Sequence, residues 1–163
     1  MRQYSILTRR VFLALACVLV VAAGAVYFSG RYAYFETLSP DYSGKQLTVE
    51  DAMQGALSGE VILVDIRTPR EWRTTGVPAG AHPLDMRRPD FAQALVALAG
   101  NDLNRTIALI CARGVRSARL GTALSAAGFS DIRDVPEGML GSHSGPGWLA
   151  GGLPVVAFKE DAG

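Results

Sequence analysis

The chain has 163 residues, 49% of them hydrophobic, and its formal net charge is +1. Once the apolar N-terminal segment is set aside, about 115–120 residues remain, which suits one compact domain with its own core. A net charge this close to zero excludes the strong basic excess that is typical of nucleic-acid-binding domains, so no nucleic-acid partner is predicted.

Residues 11–28 form an unbroken run of apolar or small residues near the start of the chain. A helix of this length just spans the hydrocarbon core of a bilayer at about 1.5 Å rise per residue. Arg2, Arg9 and Arg10 precede the run, and basic flanks of this kind stay on the cytoplasmic side. We therefore predict a cytoplasmic N-terminus at residues 1–10, a single transmembrane helix, and the remaining chain on the periplasmic or extracytoplasmic side of the cytoplasmic membrane.

A cleaved export signal is the alternative for this segment. Residues 23–25 are Ala-Gly-Ala, a typical small-residue cleavage site, and residues 8–13 resemble a twin-arginine signal. Cleavage would leave an exported, soluble domain. The apolar run continues past this cleavage site, which favours an uncleaved anchor. Residues 29–45 are predicted as the linker between the membrane segment and the domain.

Helix and strand signals alternate from residue 48 onwards. Thr48 followed by Asp51 is typical of a helix N-cap with an acidic first turn, and Gly59 ends that helix. Residues 61–64, Val-Ile-Leu-Val, form a continuous apolar run that ends at Asp65. A run of this kind fits a strand that is buried on both faces.

The next elements carry signals of the same kinds. Thr68, Pro69 and Glu71 indicate a helix start, because Thr68 caps the helix, Pro69 takes the first helical position and Glu71 completes a capping box. Residues 81–84 form a short extended piece, and residues 89–100 form a helix with apolar positions at helical spacing. The remaining predicted elements are a strand at 106–110, a helix at 115–127, a strand at 132–135 and a closing segment at 148–156.

This order of elements predicts the fold class. Strands that alternate with helices form a mostly parallel sheet with right-handed crossovers, and the helices cover its faces. We therefore predict a single α/β domain over residues 46–158, with a central, mostly parallel sheet flanked by helices on both faces. One N-terminal transmembrane helix precedes this domain, and a short tail follows it at residues 159–163.

Cys111 is predicted where a central strand ends and a helix begins. Ligands gather at the carboxyl ends of strands in an open α/β sheet, and a helix N-terminus offers free N–H groups and a positive dipole end. Arg113 and Arg116 add positive charge, and Gly114 allows the tight turn that lets successive N–H groups converge on an anion. These effects favour the thiolate, which is the nucleophilic form of cysteine.

Metal and cofactor chemistry is not indicated. Cys17 lies in the apolar run, so Cys111 is the sole thiol of the predicted domain and no intrachain disulfide is expected. His82 and His143 are distant from Cys111 along the chain and have no metal-ligand spacing. We therefore predict no metal and no other cofactor.

Residues 111–116, Cys-Ala-Arg-Gly-Val-Arg, resemble the active loop of the rhodanese family, which reads Cys, two variable residues, Gly, a variable residue, and Arg or Thr. The resemblance extends over about residues 46–156. Its further signatures are Val-Asp-Ile-Arg at 64–67, Glu-Trp at 71–72, the stretch at 76–81, Glu-Gly-Met at 137–139, Trp148, and Gly-Leu-Pro-Val at 152–155. Val77 replaces the His of the family's Gly-His stretch, a position that is usually structural.

The resemblance implies a sulfurtransferase similar to thiosulfate sulfurtransferases. Cys111 would take the outer sulfur of a small donor such as thiosulfate, become a persulfide, and pass the sulfur to a thiol or cyanide acceptor. Backbone N–H groups would bind the persulfide, and the two arginines would attract the donor or an acidic patch on a protein acceptor. The residues of this predicted substrate- and persulfide-binding loop are Ala112, Arg113, Gly114, Val115, Arg116 and Ser117.

Asp65, Arg67 and Glu71 lie at and after the end of the neighbouring strand and are predicted to support this loop. Arg67 is expected to form a salt bridge with Asp65 or Glu71 and so to order the floor of the loop. A direct catalytic role for Arg67 is the less favoured interpretation.

Two other functions fit parts of the same pattern. A binding or sulfur-relay module would carry the persulfide to a partner protein without turning over a free substrate. Cysteine phosphatases on a related architecture place one more residue between Cys and Arg than separates Cys111 from Arg116, so the loop here would form a smaller cradle. The sequence therefore favours sulfur transfer over phosphate hydrolysis and leaves the relay function open.

Overall fold

The structure is a computed structural model of the chain, and it describes residues 42–159. The transmembrane or signal segment predicted at residues 11–28 lies outside the described residues, as do the predicted N-terminus at 1–10, most of the linker and the residues after 159. Among the helices of residues 42–159, none is both long enough and apolar enough to cross a membrane.

Residues 42–159 form short strands that alternate with helices. In chain order the strands are β1 (Lys45–Gln46), β2 (Ile62–Asp65), β3 (Val77–Pro78), β4 (His82–Pro83), β5 (Ile107–Ile110), β6 (Ile132–Asp134) and β7 (Val155–Val156). The helices are α1 (Val49–Ser58), α2 (Pro69–Thr75), α3 (Phe91–Leu98), α4 (Val115–Ala126) and α5 (Gly147–Ala150). This order confirms the predicted α/β class.

A central sheet contains the strands β1–β6–β5–β2–β4 in that order, and every neighbouring pair in it is parallel. Strands β3 and β7 form a separate antiparallel pair. The predicted central, mostly parallel sheet is therefore confirmed. Strand β5 lies between β2 and β6, so the residue that follows β5 is at the middle of the carboxyl edge of the sheet.

Burial on both faces of this sheet explains the unbroken apolar runs in the sequence. Side chains alternate between the two faces along a strand, so a strand that is covered on both sides needs apolar residues at every position. The cluster that α3 and α4 cover includes Val64, Leu95, Leu109 and Leu124. The cluster that α1 and α5 cover includes Val49, Leu63, Ala108 and Trp148.

Hydrogen bonds at the helix ends confirm both predicted helix starts. The Thr48 Oγ1 accepts a hydrogen bond from the Asp51 N–H at 3.1 Å, and Gly59 follows the last residue of α1 with a φ of 79°. The Thr68 Oγ1 accepts from the Glu71 N–H at 3.2 Å, while the Glu71 carboxylate accepts from the Thr68 N–H at 3.0 Å. These local bonds determine where α2 starts and thereby where Glu71 lies.

Two local features differ from the sequence prediction. Helix α3 begins at Phe91 rather than at Pro89, because the Asp90 side chain pairs with Arg88 at 2.6 Å instead of capping the helix. Lys45, predicted as the last residue of the linker, belongs to β1, which pairs with β6. Two-residue strands such as β1 and β3 carry no periodic pattern, so the sequence offered no signal for them.

Candidate functional site

Cys111 directly follows β5 at the carboxyl edge of the sheet. It is 1% exposed and belongs to the apolar cluster that α3 and α4 cover. The Cys111 carbonyl accepts a hydrogen bond from the Met139 N–H at 2.9 Å, and the Ser117 hydroxyl lies 3.5 Å from the sulfur. The sulfur is therefore below the protein surface, and a reagent reaches it only after neighbouring groups move.

Gly114 is the N-cap residue of α4, with a φ of 82° and a ψ of −27°. This left-handed conformation carries little cost only for glycine. The first hydrogen bond of the helix runs from the Ala118 N–H to the Gly114 carbonyl at 3.0 Å. The N–H groups of Val115, Arg116 and Ser117 precede it and have no acceptor within the helix. Donors of this kind, at the positive end of a helix dipole, suit the binding of an anion.

Close backbone packing gives this loop its shape. A Cβ atom on Gly114 would lie 2.4 Å from the Pro136 carbonyl oxygen, and a Cβ atom on Gly138 would lie 2.7 Å from the Arg113 nitrogen. Both distances are far shorter than an ordinary contact, so only glycine fits at either position. The loop after Cys111 is thus packed directly against the turn that follows β6.

Arg116 is held by Glu71 of α2. Its Nη2 and Nη1 atoms lie 2.6 Å and 3.1 Å from the two carboxylate oxygens. Burial opposes the ionisation of Glu71, but hydrogen bonds from Arg116 and Thr68 outweigh it and lower the pKa of Glu71 to about 2. The hydrogen bond to Glu71, together with the nearby Cys111, raises the pKa of Arg116. Arg116 therefore stays charged near the sulfur and joins α4 to α2.

Arg67 and Asp65 form a buried ion pair at the end of β2. Their closest atoms, Nη2 and Oδ2, are 2.6 Å apart, and the side chains are 1% and 0% exposed. Arg67 also donates to Thr75 Oγ1 at 2.7 Å and to the Gly76 carbonyl at 2.8 Å. Of the two partners expected for Arg67, the structure selects Asp65, while Glu71 binds Arg116 instead. The Arg67 network joins the end of β2 to the end of α2.

Arg113 and Glu137 hold the segment that follows β6. The Arg113 Nη1 donates to the Gly141 carbonyl at 2.9 Å. The buried Glu137 carboxylate accepts from the Val49 N–H at 3.2 Å and from the Gly147 N–H at 3.3 Å, so it binds the N-termini of α1 and α5. The sequence gave no sign of this role for Glu137, because its partners are distant in the chain.

Asp134 is a buried carboxylate near Cys111 that sequence reasoning missed. It is 2% exposed on β6, beside Leu109 of β5, and its Oδ1 atom is buried without a hydrogen-bond partner. Burial raises the pKa of Asp134 to about 6, although hydrogen bonds from Ser117 and the Val135 backbone act in the opposite direction. The available signal was its alternation with the apolar Ile132, which places both side chains on the same face of β6.

Other possible binding features lie away from Cys111. Within residues 42–159, no three or more His, Cys, Asp or Glu side chains form a group that could hold a metal ion. A cavity of about 510 Å³ lies beside α2, and its lining includes Trp72, Asp85, Arg88 and Phe158. The Trp72 and Phe158 rings pack together with their centroids 4.9 Å apart, so this cavity has an aromatic wall.

Comparison with known proteins identifies similar chains. Residues 48–143 match the family model described as a rhodanese-like domain. An uncharacterized protein of Rickettsia rickettsii is 24% identical over 98 residues, which cover 56% of this chain and 80% of that protein.

Two solved structures show the likeness of fold. The polysulfide-sulfur transferase homodimer from Wolinella succinogenes superposes with a TM-score of 0.56 and 23% identity, over 86% of this chain and 96% of that chain. Thiosulfate sulfurtransferase from Pseudomonas aeruginosa superposes with a TM-score of 0.54 and 21% identity, over 71% of this chain and 21% of that chain.

Proposed function

Since the chain belongs to the family of rhodanese-like domains, we propose that it transfers sulfur through a persulfide on Cys111. The observation that carries this proposal is the position of Cys111, at the end of a central strand and directly before the glycine-capped N-terminus of α4. A persulfide is an anion. The helix N-terminal N–H groups and the charge of Arg116 would therefore stabilise it.

The proposed reaction has two steps. In the first, the Cys111 thiolate attacks the outer sulfur of a donor such as thiosulfate. A new sulfur–sulfur bond forms, the bond from the outer sulfur to the rest of the donor breaks, and its electron pair leaves with the remnant, which is sulfite for thiosulfate. In the second, cyanide or a thiol attacks the outer sulfur of the persulfide, and Cys111 leaves as the thiolate. Neither step needs a cofactor.

The side chains around Cys111 would have different roles in these steps. Arg116 keeps a positive charge near the sulfur while Glu71 holds its guanidinium, so it both stabilises the anion and orders the loop. Arg113 adds a second positive charge to the same loop. Arg67 and Asp65 act through the backbone at the end of β2 and have a structural role.

A persulfide relay to a partner protein is the second candidate function, and the burial of Cys111 favours it. Because Cys111 is 1% exposed, a donor or acceptor reaches the sulfur only after the surrounding groups move. Docking of a partner protein could move them, whereas a small substrate would depend on spontaneous opening of the loop. The two functions share the Cys111 persulfide and differ only in the acceptor.

A sulfur-transfer assay with thiosulfate and cyanide tests the proposal on the full-length chain. Cys111→Ser is expected to abolish transfer, and the matched control Cys17→Ser is expected to keep it. Incubation with thiosulfate alone should add the mass of one sulfur atom to the peptide that contains Cys111. Transfer that survives in Cys111→Ser would overturn the proposal. A Cys111 persulfide that forms without turnover to cyanide would identify the relay function.

From the sequence alone, we further propose that residues 11–28 anchor the domain on the periplasmic or extracytoplasmic side of the cytoplasmic membrane. Mass spectrometry of the mature protein should find the N-terminus uncut, whereas an N-terminus just after residue 25 would identify a cleaved signal. Protease added outside intact spheroplasts should degrade the domain, and protection of the domain would contradict this orientation.

A further inference from the structure

Cys111, Ser117 and Asp134 lie on one face of the central sheet, under α4. Asp134 of β6 is the register partner of Leu109 in β5. Cys111 comes two residues after Leu109, so both side chains are on the same face and in the same apolar cluster. Ser117 is in the first turn of α4, which packs on β5 and β6. The three residues are buried, with 1%, 0% and 2% of their surface exposed.

The Ser117 hydroxyl connects the other two side chains. Its oxygen lies 3.5 Å from the Cys111 sulfur and 2.9 Å from the Gly114 carbonyl oxygen, and the hydroxyl also hydrogen-bonds with the Asp134 carboxylate. A serine hydroxyl has one proton to donate and two lone pairs that accept. The direction of its hydrogen bonds therefore depends on which of Cys111 and Asp134 carries a proton.

Asp134 is suited to take up a proton. Its Oδ1 atom is buried and has no hydrogen-bond partner, which is rare for a carboxylate in a folded protein. Burial raises the pKa of Asp134 to about 6 from the usual 3.8. Ordinary packing does not explain a carboxylate at this position, because an apolar residue would cover β6 without leaving a polar atom unpaired.

We propose that Asp134 is a positioning residue that takes the proton of the Cys111 thiol through the Ser117 hydroxyl. The thiol proton moves to the Ser117 oxygen while the hydroxyl proton of Ser117 moves to the Asp134 carboxylate. The number of protons and the total charge of the three groups are unchanged, and the negative charge moves from the carboxylate to the sulfur. Ser117 then donates to the thiolate, and protonated Asp134 donates to Ser117.

The remainder of the cycle returns the proton by the same route. Asp134 keeps it while the sulfur is a persulfide and gives it back when the Cys111 thiolate is regenerated. This inference rests on the proposed sulfur transfer only for the identity of the electrophile that the thiolate attacks. The preparation of the thiolate itself can be measured with any small alkylating reagent.

Other charged groups surround β6. The titratable or charged side chains on the elements packed against Asp134 are Tyr42, Lys45, Cys111, Arg116, Asp131 and Arg133. Burial raises the pKa of Tyr42 above 10.0, and the hydrogen bond from Arg133 lowers the pKa of Asp131 below 3.8. Tyr42 and Asp131 therefore do not titrate near pH 6, where Asp134 does.

The rate at which iodoacetamide alkylates Cys111 tests the proposal. The full-length chain is purified in a mild detergent and alkylated at a series of pH values on both sides of pH 6, and mass spectrometry follows the peptide that contains Cys111. The wild-type rate should rise with a midpoint near pH 6. Asp134→Asn should remove this rise and lower the rate at neutral pH by about a hundredfold.

Ser117→Ala provides the second variant, because it removes the connecting hydroxyl and leaves the carboxylate in place. It should also remove the rise near pH 6, and the double variant should be no slower than either single one. The matched control Asp131→Asn removes a carboxylate that pairs with Lys45 and Arg133 next to β6, and it should leave the profile unchanged.

Two results would overturn the inference. A faster alkylation of Asp134→Asn at neutral pH would mean that the carboxylate only repels the thiolate. A rate that falls by the same factor at every pH, with the rise near pH 6 retained, would mean that Asp134 is merely structural. Persulfide formation without the pH step would refute this inference alone, and a pH step without sulfur transfer would refute the proposed function alone.

Discussion

Substitution of Gly114 by Ala is expected to destabilise the domain and to inactivate the Cys111 loop, and Gly59 offers a matched control. The two glycines have nearly the same φ, 82° at Gly114 and 79° at Gly59. They differ in their surroundings, since a Cβ atom at Gly59 would have no atom within 4 Å, whereas one at Gly114 would lie 2.4 Å from the Pro136 carbonyl oxygen. Comparison of the two variants therefore separates backbone conformation from packing.

The expected free-energy changes follow from this difference. An alanine in the left-handed region costs about 1–2 kcal/mol, and this is the whole effect expected for Gly59→Ala. At Gly114 the obstructing atoms belong to the backbone and cannot rotate away. Overpacking of this kind adds about 1–3 kcal/mol, so Gly114→Ala should cost about 2–5 kcal/mol.

Urea unfolding of the full-length chain, followed by tryptophan fluorescence, measures the free energy of unfolding of both variants. The sulfur-transfer assay measures the loop. A displacement of about 1 Å in a catalytic loop can lower a rate by about a hundredfold, and this loss is expected for Gly114→Ala but not for Gly59→Ala. Equal unfolding free energies and equal activities in the two variants would refute the reasoning that the contact with Pro136 shapes the loop.

Three further predictions concern buried charges. Glu71→Gln removes a carboxylate whose pKa is lowered from 4.5 to about 2, so thermal unfolding at stepped pH should show wild-type stability falling as pH drops through this range and the variant losing less; equal losses would contradict this. Arg67→Gln leaves the buried Asp65 unpaired and should cost about 3–5 kcal/mol in urea unfolding, part of which Asp65→Asn should restore. The pKa of Asp134 is raised from 3.8 to about 6, so its favourable contribution below pH 3.8 is lost as pH rises through 6. Asp134→Asn should therefore be more stable than wild type at neutral pH, by up to about 3 kcal/mol, with no advantage in acid; lower stability at neutral pH would contradict this.

The sequence by itself determined the features that depend on neighbouring residues. Thr68, Pro69 and Glu71 predicted the capping box of α2 correctly, because all its hydrogen bonds close within one helical turn. The apolar runs around β2 and β5 predicted strands buried on both faces, because a covered parallel strand admits no polar position. Cys111 was predicted at the junction of β5 and α4 for the same local reasons.

Only the tertiary structure decided which charges meet. Arg116 binds Glu71 across 45 residues of sequence, and this leaves Arg67 to Asp65. No local pattern distinguishes these partners, because the parallel crossovers that bring α2 and α4 together are set by packing of the whole sheet. Asp134 is likewise an unremarkable strand residue in the sequence. Its proximity to Ser117 and its raised pKa exist only once β6 is placed beside β5 and covered by α4.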